Sequence, residues 1–367
     1  MFSWKLITNF ILYTFSNKKF SFYSESKYYQ KNYIDFINAL ADKFSEEKIY
    51  YFSSEEIDII KGNNQIINVY IGKGILRVLF FIFVNSKYFF MTLTDLNNHE
   101  LKKSPFVKEY IYIFHSTISL YRGYTEGAFD FYDTFFSIGS TCSMELNEII
   151  NSRNLNSKKV EQIGYFLFSH LEKRLSNYSK KNYILIAPSW NKNEKNFFLN
   201  DSFELIEYLL NKNLNVVLRP HPEHLKSNKD YIDFIKKAFI SNNNFAFDFE
   251  HDNIKSISES EYLITDYSGI AIEYTLIAEK PVIYFDQYLK LHNSNFEKTF
   301  KTKKLIEDEI KNLFGKSFRK NDLNNLSKEL LLIKRDFEFK KEEIRKYTKR
   351  KFFNYRNSIQ IAISKLN

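Results

Sequence analysis

The sequence predicts an α/β protein made of two successive domains, each a parallel β-sheet with helices on both faces. Short apolar runs alternate with stretches of helical period along nearly the whole chain, the pattern that such doubly wound sheets produce. At 367 residues and 44% hydrophobic content, the chain is long enough to bury two cores. A short polar stretch, Ser176 to Asn182, interrupts the alternation near mid-chain before a second run begins. The expected division is 1–176, 177–340 and a basic helical tail at 341–367 that can pack back on the N-terminal domain.

In the first half, Met1 to Phe15 reads either as a packed N-terminal helix or as one lying at a membrane surface; it has no small-residue cleavage site of the signal-peptide kind. Phe20 to Tyr23, Lys48 to Phe52, Ile66 to Ile71, Tyr88 to Leu93 and Tyr110 to Phe114 are expected strands. Between them, Tyr28 to Phe44 carries Tyr33, Phe36, Ile37, Leu40 and Phe44 at helical spacing. Gly74 to Phe90 is interrupted by Arg77 and Lys87, so it reads as a buried helix running into a strand rather than a membrane span. Strand Asp133 to Gly139, helix Ser143 to Ile150, strand Val160 to Gly164 and helix Phe168 to Leu175 complete the half.

The second half opens with strand Tyr183 to Ala187 and the turn Pro188 to Asn191, then helix Ser202 to Asn211 and strand Asn215 to Leu218. A proline-pinned turn, Arg219 to His224, leads to helix Asp230 to Phe239, strand Phe245 to Phe247 and helix Asn253 to Glu259. Next comes the densest stretch: strand Tyr262 to Thr265, polar turn Asp266 to Gly269, apolar helix Ile270 to Ala278, the helix stop Lys280-Pro281, and a strand from Val282. Beyond Asp286 the chain turns charged, with helices expected at Leu323 to Tyr347 and Ile359 to Leu366.

Composition narrows the function. A single cysteine, Cys142, excludes a disulfide framework and cysteine-based metal clusters and fits a reducing compartment. The formal net charge of +9 favours acidic partners: phosphorylated substrates or an anionic membrane surface. No basic-aromatic arrangement of the nucleic-acid-binding kind is present, so nucleic acid is not expected. The sequence has no HExxH, G-x-S-x-G, G-x-x-x-x-G-K-[ST] or G-x-G-x-x-G motif, and His221 and His224 lie on a Pro-containing turn; neither a metal nor a cofactor is expected.

Candidate residues sit where strands end, because the ligand crevice of an open parallel sheet lies past the strands' carboxyl ends. His115 follows the strand Tyr110 to Phe114, with Asp130 and Asp133 close behind it as alternative bases. His221 is fixed between two prolines, with the cation of Arg219 beside it. Ser268 and Gly269 stand where the free N–H groups of a helix point outward, a place suited to an anion. Glu273, on an otherwise apolar helix, is either a satisfied core carboxylate or a partner for ribose hydroxyls.

Two Rossmann-like halves facing a central cleft describe a GT-B architecture, and within it the turns resemble those of the CDP-glycerol glycerophosphotransferase family, the teichoic-acid and capsule polymer transferases. The family's W-H-G-T turn corresponds to Phe114-His115-Ser116-Thr117, with Phe for its Trp, its Gly-Tyr to Gly164-Tyr165, and its A-P-[ST]-W to Ala187 to Trp190. Its R/K-P-H-P is met by Arg219 to Pro222, and its T-D-Y-S-S, acidic residue and K-P by Thr265 to Gly269, Glu273 and Lys280-Pro281. The chain departs from the pattern in having Ser116 for the glycine of W-H-G-T and Gly269 for the second serine of T-D-Y-S-S, and in lacking the Pro-Arg and Asp after Gly164-Tyr165. The first two departures leave room for a donor or acceptor differing from glycerol phosphate.

The resemblance implies transfer of a polyol phosphate from a CDP-linked donor to a hydroxyl of a cell-surface glycan or lipid-linked acceptor, with release of CMP and without a metal. It implies His115 as base on the acceptor hydroxyl, and His221 with Arg219 steadying charge on the diphosphate. Ser268 and the N–H groups after it, from Gly269 on, would bind phosphate oxygens, Glu273 the cytidine ribose, Asp266 would belong to the nucleotide site, and Ser189 and Trp190 would wall the donor site. The implied location is cytoplasmic, with attachment to the inner face of the membrane through the N-terminal segment and the basic run Lys340 to Arg356. Two other readings remain: a GT-B glycosyltransferase using a nucleotide-activated sugar for capsule or lipopolysaccharide synthesis, and a non-catalytic glycan-binding protein. The oligomeric state is not legible.

Overall fold

The structure is a computed structural model that describes residues 4–155, 157–191, 193, 195–288, 290–293, 295–296, 300 and 303–366; the first three residues of the N-terminal segment fall outside it. The chain forms two compact units. One comprises Met1–His115, Thr125–His170 and Lys351–Asn367, the other Ser116–Tyr124 and Leu171–Arg350.

The first unit is built on a seven-stranded sheet of β1 (Phe20–Ser24), β2 (Ile49–Ser53), β3 (Ile66–Tyr70), β4 (Ser86–Met91), β5 (Val107–Ile113), β6 (Thr134–Ser137) and β7 (Lys159–Gln162), in the order β3-β2-β1-β4-β5-β6-β7. Every pairing is parallel. The strands read as unbroken apolar runs because both faces of the sheet are covered. Phe22, on β1, stacks on Phe90, on β4, with ring centroids 4.5 Å apart, and Phe36 of the helix Ile34–Lys43 meets both edge-on. Burying each such ring contributes on the order of 2–3 kcal/mol.

The second unit carries β8 (Tyr183–Ile186), β9 (Val216–Leu218), β10 (Phe245–Phe247), β11 (Ser260–Thr265), β12 (Val282–Tyr284) and β13 (Lys316–Ser317), in the order β10-β9-β8-β11-β12-β13, again all parallel. Its core gathers Ile186, Phe197, Leu205, Leu209, Leu218, Ile264 and Phe285.

Several elements differ from expectation. The stretch from Tyr28 to Phe44 splits into a 3-10 turn, Lys27–Asn32, and the helix Ile34–Lys43; Tyr33 joins them and its side chain is buried in the core. The helix Ile75–Phe83 covers the sheet with Phe80 and Phe81 but leaves Ile75 and Phe83 exposed, so it is not buried all round. A helix, Ile306–Phe314, and β13 form in the charged region after Asp286; Ile306, Ile310 and Phe314 are its buried apolar residues, too sparse to read against four charged neighbours. The long helix Leu326–Lys351 is followed by a stretch that packs within the first unit. Two glycines admit that stretch: a Cβ on Gly139 would lie 2.2 Å from Lys351 O, and one on Gly164, at φ +103°, 2.3 Å from Phe353 O.

Candidate active site

In the second sheet, strand addition reverses between β8 and β11, so the helices following these neighbouring strands leave to opposite faces and open a crevice at the carboxyl ends. The turns at this point are Ala187 to Trp190 and Asp266 to Gly269. Thr265 Oγ1 donates to Ala187 O at 2.6 Å and ties them together.

Asp266 is buried, and both its oxygens are taken up by Ser189: Oδ1 accepts from the backbone N–H at 2.7 Å and Oδ2 from the hydroxyl at 2.8 Å. Burial pushes the carboxyl pKa up, and the Ser189 hydrogen bonds oppose that rise. Both residues, expected at the nucleotide, are therefore engaged with each other as a clamp on the crevice floor. The Ser189 carbonyl in turn lies 3.1 Å from Nε2 of the fully buried His224, whose Nδ1 faces Asn228 Oδ1 at 2.8 Å. Burial lowers the His224 pKa, and the two oxygens that the ring faces oppose that fall. Trp190, half-buried, rests edge-on against it at 5.2 Å.

Tyr267 is held between two cations, the Arg122 guanidinium 4.4 Å and the Lys311 ammonium 5.2 Å from its ring centre. Arg122 forms a buried ion pair with Glu307 at 2.7 Å; the other Glu307 oxygen accepts from Ser119 N–H at 3.0 Å, and Lys311 pairs with Asp286 at 2.7 Å. Ser268 occupies the cap position of the helix Gly269–Leu276, yet its hydroxyl makes no capping hydrogen bond. The Ala271 N–H goes to Ser268 O at 3.1 Å, while among the described residues the N–H groups of Gly269 and Ile270 have no partner. Glu273, one turn on, is buried, and its Oε2 accepts from Asn253 Nδ2 at 3.2 Å. Lys290 lies near Asp266 and Glu307; burial lowers its pKa, and among the described residues no carboxylate pairs with it.

His221 caps the short helix Pro222–Ser227, its Nδ1 accepting from Glu223 N–H at 3.2 Å. An acceptor at Nδ1 puts the proton of the neutral ring on Nε2. Arg219 is not a free cation beside it: its guanidinium pairs with Asp248 at 2.6 Å and donates to Glu250 O at 2.8 Å. In the first unit, His115 follows β5, half-buried and edge-on to Tyr29 at 5.5 Å. The alternative bases are both engaged, Asp130 with Arg153 at 2.8 and 2.5 Å, Asp133 with Lys103 at 2.7 Å and Tyr110 N–H at 2.9 Å. Among the described residues no cluster of three or more His, Cys, Asp or Glu side chains is arranged to hold a metal.

Sequence reasoning missed Arg122, Glu307, Lys311 and Lys290, noted Ser116 only as a departure from the family's turn, and weighed His224 only as a metal ligand, three residues past His221 on the same pinned turn.

No curated protein sequence matches the chain at a significant level. Among solved structures, the wall teichoic acid polymerase TagF matches with a TM-score of 0.60 at 17% identity, over 94% of this chain and 89% of that one. A His-to-Asn variant of that polymerase soaked with CDPG matches at 0.61 and 14%, over 98% and 93%. The UDP-GlcNAc 2-epimerase from Neisseria meningitidis matches at 0.59 and 12%, over 96% and 99%. At such identities these likenesses establish a shared GT-B fold. The family model described as CDP-Glycerol:Poly(glycerophosphate) glycerophosphotransferase matches residues 156–359, more than half of the chain and nearly all of the second unit. The chain belongs to this family of CDP-glycerol-type glycerophosphotransferases.

Proposed function

We propose that this transferase binds the CDP-linked donor at the carboxyl ends of β8 and β11 and passes its polyol phosphate to a hydroxyl of a cell-surface glycan or lipid-linked acceptor. The observation that carries the reading is the start of the Gly269 helix, where among the described residues the Ser268 hydroxyl and the Gly269 and Ile270 N–H groups have no protein acceptor. Donor groups at a helix start favour phosphate oxygens. Glu273, oriented by Asn253, takes the ribose. Ser189 and Asp266 position the crevice, and Trp190 walls it. The second unit is then the donor side and the first the acceptor side.

In the transfer, the acceptor oxygen forms a new P–O bond to the polyol-bearing phosphorus while the bond from that phosphorus to the CMP phosphate oxygen breaks, its electron pair leaving with CMP. His115 takes the hydroxyl proton, the work of a group that titrates near neutrality. His221 donates from Nε2 to the diphosphate as charge builds on the leaving oxygen, and Arg219, through Asp248, stiffens the turn that holds it. CMP release from a panel of CDP-polyols and nucleotide sugars tests this: release with a CDP-polyol alone supports it, and a nucleoside diphosphate released from a sugar donor would favour a glycosyltransferase instead.

The acceptor is a growing envelope polymer, by analogy with the polymerase of similar fold. No helix among the described residues is long and apolar enough to cross a membrane. The reading adds peripheral attachment to the inner face of the cytoplasmic membrane. The helix Trp4–Tyr13 anchors Asn9 to Tyr70 O at 2.9 Å and turns Trp4, Ile11 and Leu12 outward, followed by exposed Phe15. The basic run contributes less than its composition suggests, since Lys341, Arg345 and Lys346 pair with Glu338, Glu279 and Glu342. Flotation with anionic and with neutral vesicles at low salt tests it; protein left unbound by both contradicts it.

A further inference from the structure

We propose that Ser116 is a donor-binding residue, its hydroxyl standing where a side chain on Gly269 would otherwise stand. This rests on the reading that the donor phosphates meet the start of the Gly269 helix. Gly269 is not required by its backbone, since it is absent from the residues with positive φ and opens an ordinary helix. It is required by space: a Cβ there would lie 2.7 Å from Ser116 Oγ and 3.8 Å from Ser116 Cβ. The hydroxyl of one segment fills the room left by the missing side chain of another.

The Ser116 segment is a rigid bracket. Although its chain neighbours on both sides lie in the first unit, Ser116–Tyr124 belongs to the second. Ser119 N–H and the Arg122 guanidinium both bind Glu307, and Arg122 also lies on Tyr267, two residues before Gly269. Among the described residues the Ser116 hydroxyl has no hydrogen-bond partner. Two hydroxyls, Ser116 and Ser268, and two amides, Gly269 and Ile270, thus gather at one helix start. Four donors call for a partner that accepts and carries negative charge, which is the diphosphate and not the nucleoside.

The two departures noted in the sequence are then one. A serine appears at 116 and disappears at 269, at positions that face each other, so the site keeps its second hydroxyl but supplies it from the other segment.

Calorimetric titration of the full chain with CDP and with cytidine tests this. Ser116→Ala should weaken CDP binding by about tenfold, the loss of one hydrogen bond to a charged group, and leave cytidine unchanged. Gly269→Ser alone should weaken CDP binding further, because the new Cβ meets Ser116. In the Ser116→Gly background the same change should restore CDP affinity to within about threefold of wild type, a coupling that independent sites do not show. Thermal unfolding of each variant separates misfolding from lost binding; if Gly269→Ser does not fold, Ser116→Ala still decides. Wild-type protein that binds CDP while Ser116→Ala binds it equally, or a double variant no better than the product of its singles, overturns the role of Ser116 and leaves the donor reading standing. Wild-type protein that does not bind CDP overturns both.

Discussion

The two sheets are wound alike, each adding strands in one direction and then reversing beside its first strand, but their crevices have different fates. In the first unit the reversal lies between β1 and β4, and the protein fills it. The buried Tyr33 hydroxyl lies 2.9 Å from both Tyr23 O, on β1, and Thr92 Oγ1, just past β4. The Tyr23 hydroxyl meets Ser54 at 2.7 Å. In the second unit the reversal between β8 and β11 is lined by a clamp, Ser189 with Asp266, and by hydroxyls and amides that have no partner among the described residues. The winding makes a crevice, and the side chains at the strand ends decide whether it is a core or a site. His115 stands one strand away from the filled crevice, after β5.

The largest effects should come from the two histidines given catalytic roles in the proposal. His115→Ala should lower turnover by about a hundred- to ten-thousandfold while CDP binding persists. His221→Ala should lower turnover and CDP affinity together, because the proposal has its Nε2–H donate to the diphosphate before as well as during transfer. Steady-state kinetics with CDP titration separates the two patterns. Near-normal transfer by His115→Ala would remove it as base, and neither Asp130 nor Asp133 stands ready to replace it.

Next in size is the bracket around Tyr267. Arg122→Met should leave Glu307 buried and uncompensated, costing about 3–5 kcal/mol of unfolding free energy. Adding Glu307→Gln should recover part of that. Denaturant unfolding followed separately in each unit should show the loss in the second; an unaltered midpoint there would mean that the pair does not hold the bracket.

A paired substitution sharpens the contrast between the crevices. Tyr33→Phe should destabilise the first unit by about 1–2 kcal/mol and leave CDP affinity unchanged. Ser268→Ala should do the reverse, weakening CDP binding about tenfold with little effect on melting. If both changed CDP affinity alike, the two crevices would not differ in the way described.

The smallest effect is a pH dependence. Burial holds the His224 pKa below its ordinary value of 6.5, so the unfolded chain binds the proton more readily than the folded one. Stability from this group is fully present above about 6.5 and is lost as the pH falls toward the lowered folded value. Melting curves from pH 7.5 to 5.5 should slope less for His224→Gln than for wild type, and equal slopes would exclude His224 as a source of the acid loss.

Much of the fold was legible because parallel strands covered on both faces appear as unbroken apolar runs, as in β1, β8 and β11. The Asp266 to Gly269 turn was legible from its polarity between an apolar strand and an apolar helix. What the turn residues do was less so. Asp266 reads as a ligand until Ser189, 77 residues earlier, is seen to occupy both its oxygens, and Arg122 meets Glu307 across 185 residues. Arg219 reads as a free cation because Asp248, its partner, lies on a different strand end. Contacts of this kind depend on which strands become neighbours, and local pattern does not carry that information.

The most direct measurement is a crystal structure of the protein soaked with CDP. The account predicts the diphosphate against Ser268, Gly269 and Ile270 and the ribose at Glu273, with the end of β1 and β4 still filled by Tyr33. Nucleotide bound in the first unit, with the start of the Gly269 helix left bare, would contradict it.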